Sequence, residues 1–129
     1  MPREAVQPKG VWDARPRFAQ VMKIGNTIHV SGQTPVDAHG KLVGKGNIEV
    51  QARQVFENIK KCLAAAGATF DHVVKINLYC TDMETHYQTM SKIRCEYLSN
   101  QAVASTWVEV KRLVDPDWLL EVEAIAVLA

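Results

Sequence analysis

The chain has little of what would tie it to a membrane, a nucleic acid or an oxidising compartment. Its 129 residues carry 15 Lys and Arg against 14 Asp and Glu, a formal charge of +1. That balance leaves no large electrostatic footprint for nucleic acid or an anionic membrane. No apolar run approaches the roughly 20 residues that span a bilayer. The opening Met1-Pro2-Arg3-Glu4-Ala5-Val6-Gln7 lacks the apolar centre of a signal peptide. A cytoplasmic protein is expected. The three cysteines, Cys62, Cys80 and Cys95, are odd in number and far apart. They form neither a CxxC pair nor a disulfide framework and read as small buried or semi-buried thiols. His29, His39, His72 and His86 show no HxxxH spacing, so no metal site is expected. Gly40, Gly44 and Gly46 fit neither a dinucleotide nor a phosphate-loop spacing, and no cofactor is expected.

What is there is a well-patterned single domain, residues 1–129. Arg17 to Lys23 alternate apolar and polar, Gly25-Asn26 supplies a two-residue hairpin turn, and Thr27 to Ser31 continue as a second strand. Asp37-Ala38-His39-Gly40 reads as another turn. From Asn47 the period changes. Ala52, Val55, Phe56, Ile59, Leu63 and Ala66 form one helical stripe, with Gly67 as its natural stop. His72 to Cys80 alternate and are rich in β-branched residues, the signature of a strand. Asp82 or Thr85 can cap a second helix carrying Tyr87, Met90, Ile93, Tyr97 and Leu98 on one face. Two more strands are expected near Ser105 to Arg112 and Leu119 to Leu128, separated by the breaker Asp115-Pro116-Asp117.

The order β-β-α-β-α-β-β implies an α+β fold, a mixed sheet with two helices on one face. The other face would then be uncovered, although strands such as Val73 to Tyr79 carry enough apolar residues for both. Closed homo-oligomerisation is the usual way to cover such a face.

Several stretches together resemble the Rid family, also called YjgF or endoribonuclease L-PSP proteins. They include Val30-Ser31-Gly32-Gln33-Thr34-Pro35-Val36, Gln51 to Lys60, Asp71 to Lys75, Val108 to Leu113 and Glu121 to Ala126. The family's best-known activity is hydrolysis of reactive enamines and imines. The resemblance implies a chorismate-mutase-like fold and a homotrimer with pockets between neighbouring subunits. It also implies a site. The family's deaminases hold the substrate carboxylate with an arginine, and the aligned position here is Ser105. The family's P-A-R thus reads Val103-Ala104-Ser105. Trp107 replaces a small family residue, Phe18 a tyrosine and Met90 a frequent asparagine. Glu121 aligns with the glutamate that holds or activates the attacking water. Ser31-Gly32 aligns with a pocket-lining turn whose backbone could bind a carboxylate or carbonyl.

Ser105 and Trp107, two apart on a strand, should share a face and reshape one pocket wall. Burial of Glu121 against Trp107 and Phe18 would raise its pKa and suit it to proton transfer. Arg15 or Arg17 could supply the missing cation from another direction; Arg17, next to Phe18 on a strand, should face the opposite side from it, and Arg15, ahead of Pro16, is freer to reach over. Two readings follow. One is a cofactor-free enamine or imine deaminase, acting through Glu121 on a small-molecule substrate larger or more aromatic than the usual amino-acid imines. The other is a non-catalytic trimeric ligand-binding or interaction protein of the same fold. Ribonuclease activity gains no support, since no basic patch is interleaved with aromatics and no His pair serves general acid–base cleavage.

Overall fold

Local signals set the element ends of this computed structural model, which describes residues 1–98 and 102–129. Gly25 takes a φ of 58°, as the first residue of a two-residue hairpin turn requires. It joins strand β2 (Val21–Ile24) to β3 (Thr27–Gln33). Asn47 caps helix α1 (Ile48–Ala65) by accepting from the Val50 amide at 3.1 Å. Gly67, at φ 84°, ends it, and the Gly67 and Ala68 amides turn back to the Ala64 and Leu63 carbonyls. A short 3-10 turn, Phe70–His72, leads into β4 (Val73–Cys80). Asp82 caps helix α2 (Met83–Tyr97). The chain ends with β5 (Ala104–Glu109) and β6 (Leu120–Val127).

One strand escapes the sequence pattern. Arg3–Val6 forms β1, antiparallel to β2 at the sheet edge. Its four residues are mostly exposed and have no buried face to pattern them. The first expected strand is also shorter than Arg17 to Lys23. It begins only at Val21, because the chain turns through Arg15–Arg17 and stays irregular to Gln20.

The sheet order is β1-β2-β3-β6-β4-β5. All pairings are antiparallel except β4 with β5. Both helices cover one face. There Ile28, Val30, Ile76, Leu78, Val122 and Ala124 pack with Val55, Phe56, Ile59 and Leu63 of α1 and Met90 and Ile93 of α2. Each large apolar side chain buried here contributes roughly 1.5–3 kcal/mol. The opposite face is more polar than the β4 sequence suggested. Lys75, Asn77 and Tyr79 lie half-buried on it beside Glu121, Glu123 and Ile125, and Val74 stands exposed at a register shift. No helix among the described residues is long and apolar enough to cross a membrane.

Two polar side chains inside the α1 stripe do structural work that period alone does not reveal. Gln51 and Asn58 are seven apart and buried. The Gln51 amide donates to the Gly44 and Asp117 carbonyls and accepts from the Leu119 amide. Asn58 donates to the carbonyls of Thr34 and Val36. Together they pin the loops before β6 and after β3, and these two loops frame the site.

Candidate functional site

Glu121 stands one residue into β6, opposite Tyr79 of β4. Strand alternation turns it away from the helices, since Leu120 and Val122 on either side are buried in the core. Its carboxyl lies on Gly32 of β3. A methyl group added at Gly32 would collide with Glu121 Oε2 and come within 2.9 Å of its Cδ. Only glycine leaves room for this carboxyl, and the need is for space, not for an unusual φ.

A cavity of about 290 Å³ opens at this point. Its apolar walls are Val11, Trp12, Phe18, Val36, Val114 and Trp118, and its polar lining is Arg17, Gln20, Gln33, Thr34 and Glu121. Trp12 and Phe18 meet edge to face, with ring centroids 6.2 Å apart. The Arg17 guanidinium lies over the Trp12 ring at 5.7 Å. Buried amides hold this wall. Gln33 donates to Gln20 at 2.7 Å, and Gln20 donates to the Trp12 carbonyl at 2.9 Å. The Ser31 hydroxyl donates to the Ala19 carbonyl at 2.6 Å. Ser31 therefore fastens the segment that presents Phe18.

Burial pushes the Glu121 carboxyl above its ordinary pKa, and the nearby charge of Glu123 adds to the rise. Glu123 itself accepts from the Tyr79 hydroxyl at 2.8 Å. That bond raises the Tyr79 pKa, with burial as a second cause. The pair resembles a general-acid arrangement: one carboxyl kept towards its neutral form, with a second beside it engaged as a hydrogen-bond acceptor.

The other expected site residues are distributed differently. Phe18, Gly32 and Glu121 line one cavity. Arg15 does not. It is tied to Asp13 at 2.7 Å and half exposed, and the cation in the cavity wall is Arg17. The expected opposition of Arg17 and Phe18 fails because both lie outside any strand. Met90 is fully buried against the sheet, so it is a core residue and not a substrate contact within this chain. Its helical stripe is the packing stripe. Ser105 and Trp107 share a face, but it is the side of β5 towards α2, not the wall of the Glu121 cavity. Ser105 accepts from Arg94, and Trp107 lies against Tyr87 at 4.9 Å and under Arg94 at 5.8 Å. The burial of Glu121 thus owes nothing to Trp107 of the same chain.

Val11, Trp12, Gln20, Val114 and Trp118 are lining residues that the sequence pattern does not single out. They lie in irregular segments, where only a tertiary structure brings them together. The cysteines take no part. Cys62 and Cys80 are buried, and burial pushes the Cys62 thiol up to about 12, whereas Cys95, against expectation, is exposed on α2. Among the described residues no three His, Cys, Asp or Glu converge as metal ligands would.

A two-helix layer on a mixed six-stranded sheet, with a carboxylate cavity where the third and last strands meet, defines an α+β protein of the chorismate-mutase-like kind. Comparison with known proteins narrows this. The profile of the endoribonuclease L-PSP family matches residues 11–128, and the chain belongs to that family, the Rid or YjgF proteins. A RutC family protein of Pyrococcus horikoshii is 40% identical over 109 residues, covering 84% of this chain and 85% of that one. Among solved structures, RidA from an Antarctic Psychrobacter superimposes with a TM-score of 0.88 at 31% identity, over 97% of this chain and 99% of that one. TdcF of E. coli with bound serine does so with a TM-score of 0.87 at 26% identity, over 98% and 99%.

Proposed function

We propose that this protein is an enamine or imine deaminase whose acid–base group is Glu121. The observation that carries the reading is a carboxyl seated on Gly32 in an aromatic-walled cavity, its pKa raised by burial. A carboxyl held towards neutrality is suited to giving a proton and then taking one back.

The chemistry needs only water. Protonated Glu121 delivers its proton to the carbon of an enamine, or to the nitrogen of an imine, leaving an iminium. The resulting carboxylate accepts a proton from water as the oxygen bonds to the iminium carbon. Glu121 returns that proton to nitrogen, the C–N bond breaks, and ammonia leaves as the C=O bond forms and the hydroxyl proton of the intermediate passes back to the Glu121 carboxylate. Glu121 is restored.

We further propose that the working form is a homotrimer. The half-buried sheet face and the β5 edge support this reading, because a neighbouring copy would bring its β5 surface to the mouth of the Glu121 cavity. Phe18, 43% exposed at that mouth, fits a side chain that a neighbour covers.

Glu121→Gln keeps the shape and removes the titration. Ammonia release from a panel of in-situ-generated imines should fall by about 10²–10⁴-fold, with ligand binding retained. A variant as fast as the native protein, or a monomer in sedimentation analysis, would sink the respective proposal. A native protein that binds imine analogues without releasing ammonia would instead be the non-catalytic ligand binder.

A further inference from the structure

We infer that Arg17 is the anion anchor of the Glu121 cavity, and that the preferred substrate is a flat, aromatic or conjugated imine carrying a carboxylate. This rests on the deaminase reading for the reaction, but the recognition argument stands on the cavity itself.

Four observations carry it. First, Arg17 lines the same cavity as Glu121, and a cation there is the natural partner of an anionic substrate group. Second, it is uncommitted. Arg15 and Arg53 are spent on Asp13 and Glu96, whereas among the described residues no carboxylate lies within ion-pair distance of Arg17. Third, its guanidinium is placed over the ring of Trp12, whose backbone carbonyl accepts from Gln20. A pre-positioned planar fork loses less freedom on meeting a carboxylate. Fourth, the apolar wall sets the rings of Trp12, Phe18 and Trp118 beside Val11, Val36 and Val114. A volume near 290 Å³ lies at the small end for ligand sites, room for about one ring and a short acidic tail.

The arrangement also couples recognition to chemistry. A carboxylate brought in by Arg17 places negative charge near Glu121, which favours its protonated form, the form that starts the reaction.

The test separates recognition from turnover. Phenylpyruvate, the product expected from the imine of phenylalanine, and phenylacetone, which lacks the carboxylate, are titrated calorimetrically into the full-length native protein, Arg17→Gln and Arg17→Lys. The native protein should prefer phenylpyruvate. Arg17→Gln should weaken phenylpyruvate about tenfold or more and leave phenylacetone unchanged, with partial recovery in Arg17→Lys. Arg17 is exposed, so the fold is not at risk. Equal phenylpyruvate affinity in the native protein and Arg17→Gln overturns the assignment. Ammonia release from the phenylalanine imine, generated by an amino acid oxidase, is measured in parallel. Arg17→Gln should raise KM with kcat little changed, whereas Glu121→Gln should lose kcat. Carboxylate discrimination without ammonia release would leave the anchor standing and remove the deaminase. Glu121-dependent release with unaltered Arg17→Gln affinity would do the reverse.

Discussion

Arg94 of α2 donates from its Nη1 to the hydroxyl of Ser105 on β5, across 2.9 Å. The same guanidinium lies 5.8 Å from the centroid of the Trp107 ring. A positive charge therefore sits at Ser105 although the strand itself supplies none. Ser105→Arg would place a second guanidinium against the first and remove the hydroxyl that accepts from it. Thermal unfolding of this variant should show a loss of roughly 1–2 kcal/mol. Adding Arg94→Ala should recover most of it. An unchanged melting temperature in Ser105→Arg would show that Arg94 swings away freely.

Gly32 is the floor on which the Glu121 carboxyl rests. Gly32→Ala must push that side chain aside or move β3. Overpacking of this kind costs about 1–3 kcal/mol. Ammonia release should drop more steeply than stability, because the displaced group is the one proposed to carry the proton. Full activity in Gly32→Ala would mean that the observed seat of Glu121 is not the working one.

The Glu121 carboxyl titrates higher in the fold than in the unfolded chain, so the folded state holds the extra proton in the interval between the two values. Stability must then fall as pH rises from the ordinary carboxylate range through the folded pKa. Removing the charge should reverse that loss: Glu121→Gln should melt above the native protein at neutral pH, with the difference shrinking towards pH 4. In turnover, the protonated form starts the reaction, so kcat/KM should decline as pH climbs past the raised pKa. Glu123→Gln deletes one cause of the rise and should move that limb to lower pH. A limb that does not move would remove Glu123 from the electrostatics of the site.

Gln51 holds three backbone groups from inside the core. Gln51→Leu would leave the Asp117 carbonyl and Leu119 amide without this partner. Each stranded group costs about 1–3 kcal/mol where water cannot reach it. Chemical denaturation should show a loss of that order. Quenching of Trp118 fluorescence by acrylamide should increase as the loop before β6 loosens. An unaltered quenching curve would show that other contacts hold the loop.

The helices, their caps and most of the sheet were legible in the residues because their causes are local. Asn47, Gly67, Asp82 and the Gly25-Asn26 turn each act within a few positions of themselves, and the α1 stripe repeats at a period set by backbone geometry. Edge strand β1 was hidden because a mostly exposed four-residue strand imposes no alternation. The polar Gln51 and Asn58 were visible only as breaks in an apolar stripe. Met90 aligns with a family pocket position, yet the same stripe that places it on α2 buries it in the core of this chain.

By itself the sequence determined the family, the α+β layout and a glutamate turned away from the helix layer, since alternation along β6 leaves that side chain no other face. Beyond Phe18 and Gly32, which the family resemblance already suggested, tertiary structure decided what Glu121 meets. Trp12, Arg17, Phe18 and Trp118 come from irregular segments, and these carry no period from which a direction can be read. Their positions are set by long-range hydrogen bonds from Gln20, Ser31 and Gln51 to backbone carbonyls, contacts that exist only once the sheet and helix have closed around them.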